Sequence, residues 1–107
     1  MAIGIKSSIQ NKASGTFSEQ AVSGDITVAG GFIYYVDTSA ARQLSLPASI
    51  DGIDFFVKDI SGLCNTNNIT IVKNTGQSIE GIALNKTLQT DWGGWHFRGT
   101  GVNLYML

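Results

Sequence analysis

The apolar residues of this chain fall into short runs spaced about ten residues apart, each closed by Gly, Asn, Asp, Ser or Pro, and that rhythm predicts a sandwich or barrel. Strands are expected over residues 25–28, 32–37, 43–46, 53–59, 68–73, 78–79, 83–88, 94–98 and 102–107. Leu44 and Leu46 flank Ser45, and Ile69 and Ile71 flank Thr70, so these strands have one buried face and one wetter face. Pro47 closes the third run by removing a ladder donor. The fold class expected is all-β, an antiparallel, jelly-roll-like β-sandwich over residues 25–107.

Three segments break the alternation. Phe32-Ile33-Tyr34-Tyr35-Val36, Phe55-Phe56-Val57 and Val102-Asn103-Leu104-Tyr105-Met106-Leu107 are apolar on both faces. A domain of this size buries only about two thirds of its unfolded surface. Packing between subunits in closed cyclic symmetry would cover the rest, with Tyr34, Phe56, Tyr105 and Leu107 as the expected interface residues. The alternative is that each two-sided strand lies centrally beneath loops of its own chain.

Residues 1–24 are polar and small, with isolated apolar residues at Ile3, Ile5, Ile9 and Phe17, and read as an extended N-terminal arm. A frayed terminus is the simpler alternative. Ile3 and Ile5 stand two apart, the period of one strand face, so the arm is suited to adding a strand to a neighbouring sheet.

Composition narrows the chemistry. Seven Lys and Arg against eight Asp and Glu leave a formal charge of −1, no field for holding nucleic acid or an anionic membrane. Only 14% of residues are charged and 13 are Gly, a turn-rich balance unlike that of a helical bundle. The longest markedly apolar stretch, residues 26–36, is interrupted by Thr27, Gly30 and Gly31 and is far shorter than the roughly 18 residues of a membrane-spanning helix. Residues 1–6 lack the charged and apolar regions of a signal peptide. One Cys, Cys64, permits no internal disulfide and suits a reducing cytoplasm.

Candidate chemistry is sparse. His96, the single imidazole, lies between Trp95 and Phe97 and is expected to face away from the core; Cys64 reads as a small filler or free thiol. The carboxylates Asp51, Asp54, Asp59, Glu80 and Asp91 show no spacing that selects a catalytic pair, and a structural metal needs about four ligands. No catalytic residue, metal site or cofactor is therefore expected. Gly93-Gly94 and Gly99-Thr100-Gly101 lack the spacing of a phosphate loop and read as hairpin turns. Trp92-Gly93-Gly94-Trp95 is the one feature with binding chemistry, because exposed indoles offer flat apolar faces to sugars or partner side chains; the alternative places Trp95 in the core and Trp92 over the turn.

An ordered set of short pieces then points to a family. They are Val36-Asp37-Thr38-Ser39, Leu44-Ser45-Leu46-Pro47-Ala48, Phe56-Val57-Lys58-Asp59-Ile60-Ser61-Gly62, Asn67-Asn68-Ile69-Thr70-Ile71, Gly76-Gln77-Ser78-Ile79-Glu80-Gly81, Trp95-His96-Phe97 and the final run from Gly101 to Leu107. Together they resemble a β-sandwich module of tailed-bacteriophage virion proteins, found in tail fibres and head or tail appendages. The resemblance spans about two thirds of the chain and implies a homotrimer with a structural or adhesive role and no enzymatic one. Where the family often carries a Gly-x-x-Trp element before the last strand, Leu104 stands here. Met1 is followed by a short arm and no shaft, so the expectation is a small capsid decoration, or cement, protein on the outer capsid surface of a virion assembled in the host cytoplasm. Its expected partners are itself and the major capsid protein, clamped through Ile3, Ile5, Ile9 and Phe17. The alternative is a tail-fibre or tail-tip head domain holding a host-surface glycan on Trp92 and Trp95.

Overall fold

The computed structural model describes residues 17–107. Ten strands run in chain order: β1 (Ser18–Val22), β2 (Ile26–Thr27), β3 (Phe32–Val36), β4 (Arg42–Ser45), β5 (Asp54–Asp59), β6 (Ile69–Val72), β7 (Ser78–Ile79), β8 (Lys86–Leu88), β9 (Gly94–Thr100) and β10 (Asn103–Met106). Every run expected from the pattern contains a strand, and no helix occurs among the described residues.

Successive strands from β1 to β9 alternate between two sheets. One sheet has six strands in the order β1-β3-β5-β9-β10-β7 and the other has four in the order β2-β4-β6-β8. From β1 to β6 the chain crosses to the other sheet after each strand and returns one position along, so the neighbours β1-β3-β5 and β2-β4-β6 run the same way. The pairs β1–β3, β3–β5, β2–β4, β4–β6 and β7–β10 are parallel, and only β5–β9, β9–β10 and β6–β8 are antiparallel. The sandwich-like, all-β expectation holds, but the antiparallel jelly-roll pairing is corrected to two mixed sheets. Period-two alternation sets a strand's faces and is the same for either direction, so it carries no information on pairing sense.

The core lies between the sheets. Phe55, Phe97 and Tyr34 from the larger sheet meet Leu44, Ile69, Ile71 and Leu88 from the smaller, all essentially fully buried. Phe55 stacks on Phe97 at 5.1 Å between ring centroids, and Tyr34 meets Phe55 edge-on at 6.1 Å. Cys64 belongs to this core, its thiol donating to the Leu88 carbonyl at 3.1 Å. Burial pushes that thiol's pKa up, consistent with a packing residue.

Two sequence readings change. Residues 18–22, read as part of the arm, form the edge strand β1, with Ser18 to Val22 in register with Phe32 to Val36 and Val22 buried. Ile3, Ile5 and Ile9 lie outside the described residues. Tyr34, read as an interface residue, is 1% exposed, and its hydroxyl accepts the Ala29 N–H at 2.8 Å. Its place on β3 faces the core because Val22, Phe55 and Val57 on the flanking strands do the same.

Candidate functional site

The two outer faces of the sandwich differ in chemistry. On the four-stranded sheet the residues alternating with the buried set are Thr27, Gln43, Ser45, Thr70, Val72 and Thr87, nearly all polar. On the six-stranded sheet the corresponding set includes Ile33, Tyr35, Phe56, Tyr105 and Leu107. Parallel register aligns Ile33 with Phe56, and antiparallel register sets His96 beside Phe56, so these side chains form one row across the sheet. Ile33, Tyr35, Phe56, Lys58, His96 and Leu107 line an open groove of about 520 Å³.

Phe56 is the centre of this face. Phe17 packs edge-on against it at 5.2 Å, and the His96 ring stacks on its other side at 4.1 Å with planes 12° apart. His96 Nε2 donates to the Asp54 carboxylate, which also accepts from Arg98 at 3.2 Å. His96 therefore faces outward, as its neighbours Trp95 and Phe97 require. Its hydrogen-bond partner is a carboxylate that is itself shared with a guanidinium, an arrangement that orients the ring. Glu19, Lys58 and Arg98 add charge of both signs around the apolar row, and burial together with Glu19 raises the Tyr35 phenol above its ordinary pKa. Leu107 is 72% exposed and Tyr105 43% exposed.

A second cluster sits where β5 ends. Asp59 is fully buried, and its carboxylate accepts five hydrogen bonds: from the Thr38 hydroxyl at 2.7 Å and from the N–H groups of Ser61, Gly62, Cys64 and Trp92 at 3.0 to 3.2 Å. Burial alone would raise its pKa, but the Thr38 hydroxyl and the Ser61, Trp92 and Gly62 amides outweigh that effect and hold it at about 2. Beside it the Ser61 hydroxyl donates to Asp37 at 2.9 Å, and the Ser39 N–H with this hydroxyl lowers the Asp37 pKa. The corner read at residues 59–62 is thus built on a buried anion that ties together three loops.

This anchoring reaches the tryptophans. Trp92 occupies the third position of the turn closed by Gly93 N–H donating to the Thr90 carbonyl at 2.9 Å, and its φ of 60° is left-handed. A side chain other than Gly at such a position costs about 1–2 kcal/mol. The backbone is held on both sides, the N–H by Asp59 and the carbonyl by the Lys58 ammonium. Trp92 is 59% exposed at the turn, whereas Trp95 packs against the core and over Gly93 and is half-buried where it lines the groove, so the two indoles differ in setting.

Among the described residues no group of three or more His, Cys, Asp or Glu is placed to hold a metal ion. Of the residues singled out from sequence, Phe17 and Phe56 come together on the outer face and Tyr105 and Leu107 share it. Ile33, Tyr35, Asp54 and Arg98 were not singled out; the doubly apolar runs signalled that such a face exists, without showing which alternate residues form it. No family model matches the chain, and no curated protein matches it.

Proposed function

We propose that this chain is a non-enzymatic structural component of a tailed-bacteriophage virion: a homotrimeric capsid decoration protein whose copies meet through the outer face of the six-stranded sheet. The observation that carries the reading is the contrast between the two outer faces, one polar and one bearing Ile33, Tyr35, Phe56, Tyr105 and Leu107. An exposed apolar row rimmed by charge of both signs suits burial around a threefold axis, where one part of the face meets a different part on the next copy. The molecule is a slab of 36 × 32 × 20 Å, and its broad face can supply the roughly 800 Å² that each partner contributes to a standard interface. The virion setting and the threefold state rest on the ordered motifs from Val36 to Leu107 and what they resemble.

Decoration then works by multivalency. Each copy in the trimer offers its N-terminal segment to a major capsid subunit, and joining three weak contacts raises avidity by about 10² to 10⁴ without new chemistry. Because Ser18–Val22 is a sheet strand, the capsid-binding segment is assigned to residues 1–16.

Sedimentation velocity at micromolar concentration is expected to show a trimer, and Leu107→Asp, which alters an exposed side chain and no core contact, is expected to shift it to monomer. A stable monomer in the wild type would overturn the assembly. A chain lacking residues 1–16 is expected to stay trimeric and to leave the shell undecorated when mixed with particles. Full occupancy by that shortened chain would overturn the clamp, and antibody labelling of phage particles at the tail tip instead of the shell would overturn the capsid assignment.

A further inference from the structure

A rigid aromatic knob stands at one end of the apolar groove. We infer that Trp92 of one copy docks in the groove of the next, over Gly94 and beside Phe56, Lys58 and His96, so that each subunit gives a knob and receives one. This docking rests on the outer-face assembly proposed above and supplies its head-to-tail contact.

The knob is held firmly. The Asp59 carboxylate accepts from the N–H groups of Ser61, Gly62, Cys64 and Trp92, tying the corner after β5 to the turn before β9. The indole lies against Gly62, where a Cβ would stand only 2.3 to 2.5 Å from Cε2, Nε1 and Cζ2. One side of the ring is thus packed on backbone, yet Trp92 stays 59% exposed, and the same corner exposes Ile60 and Leu63 at 45% each. A φ of 60° favours Gly or Asn, and strain of this kind persists where the surrounding structure holds it. Tryptophan is among the residues most enriched at the energetic centres of interfaces, and an aromatic side chain buries about 150–250 Å².

The groove lies next to the knob without being filled by it. The turn that carries Trp92 runs into Gly94, which lines the groove without a side chain, and Lys58 lines it while donating to the Trp92 carbonyl. Trp92 itself is not part of the lining. A rotation about a cyclic axis brings the Trp92 of a neighbour to that space, and knob and groove side by side suit close packing around such an axis. The volume of about 520 Å³ lies within the range of about 300–1,000 Å³ that encloses small molecules, ample for an indole. Phe56 and His96, stacked at 4.1 Å, offer an aromatic wall, and Lys58 offers a cation to the indole face.

Charge favours the same pairing. Among the described residues the ion pairs join Asp37 to Arg42 and Asp54 to Arg98 and His96, so Lys58 in the groove and Asp91 beside the knob belong to none. Asp91 is exposed and accepts the Asn65 N–H at 2.7 Å. Carrying Trp92 into the groove brings Asp91 towards Lys58 of the receiving copy, and opposite charges placed in this way fix register.

The test is sedimentation velocity of the full chain over a dilution series. Trp92→Gly suits the local φ and is expected to keep the circular-dichroism spectrum while raising the trimer dissociation constant at least about tenfold. Asp91→Asn retains an acceptor for Asn65 and is expected to raise it about two- to fivefold. Gly94→Val blocks the receiving side, its Cβ in ordinary contact with Lys58 Cδ at 3.6 Å, and is expected to weaken assembly as well. Each of Trp92→Gly and Gly94→Val keeps the patch that the other lacks, so their mixture is expected to contain a two-chain species absent from either alone. Absence of that species would mean that Trp92 acts only on its own turn, and would overturn the docking. Trp92→Gly assembling as tightly as the wild type would overturn it too, while leaving the outer-face trimer intact if Leu107→Asp still dissociates it. A monomeric wild type would overturn both. Native mass spectrometry of the trimer is expected to show three chains and no added mass; a bound small molecule would give the groove another occupant and overturn the docking.

Discussion

Replacing Asp59 with Ala is expected to lower the unfolding free energy by about 3 kcal/mol or more, the largest loss for any single carboxylate in the described chain. The substitution removes one acceptor group and strands five donors, four of them backbone N–H groups that no other residue is placed to satisfy. Asp59→Asn keeps the shape but turns an amide toward those donors, so it is expected to recover only part of the loss. The same site sets an acid limit. The carboxyl pKa is about 2 in the fold against 3.8 in the unfolded chain, so the folded state favours the ionised form. That contribution, about 2 kcal/mol, is complete above the unfolded value and is lost as the pH falls from about 4 through 2. Urea unfolding at pH 7 and pH 2.5, at one protein concentration, is expected to show the wild type losing most of this increment and Asp59→Ala having no such increment to lose. A variant as stable as the wild type at pH 7 would mean that the corner is not held by this anion.

Gly99→Ala is expected to be comparably damaging for a steric reason. A Cβ at this position would stand 1.8 Å from the Ile50 carbonyl oxygen, a backbone atom with nowhere to go. The strand cannot move aside either, since Gly99 donates to Ile53 O at 2.9 Å and accepts from Gly52 N at 2.8 Å. A loss of about 3 kcal/mol corresponds to a fall in Tm of about 12 to 24 °C for a domain of this size. Gly94→Ala on the same strand is the control: its nearest neighbour would be Lys58 Cδ at 3.6 Å, ordinary contact, and Tm is expected to move little. Equal melting of the two variants would show that the close approach of β9 to the turn before β5 is not obligatory.

The proposed assembly face, by contrast, barely enters the folding energy. Leu107 and Trp92 are 72% and 59% exposed, so changing either leaves the inner packing of Phe55, Phe97 and Leu44 untouched. The corner at Asp59 links the two levels, because the carboxylate that closes three loops also fixes the backbone of the exposed indole. Asp59 variants are therefore expected to disturb the position of the Trp92 backbone together with stability.

The sequence by itself determined that this is an all-β chain of short strands, because alternation of apolar and polar residues and the turn residues between runs are local properties, and nine strands lie where they pointed. It also determined that apolar surface would remain outside the core, since Phe32 to Val36 and Phe55 to Val57 have no polar face to turn outward. Ser18–Val22 escaped detection because an edge strand with one buried residue carries almost no pattern. Only the tertiary structure decided the rest. In five consecutive apolar residues the alternation has no phase, so it took the flanking β1 and β5 to turn Tyr34 inward and leave Ile33 and Tyr35 outside. Pairing direction depends on which sheet the chain enters after each turn, and no local residue encodes that. The buried anion gathers donors from residues 38, 61, 62, 64 and 92, distant in sequence and adjacent only once the loops close.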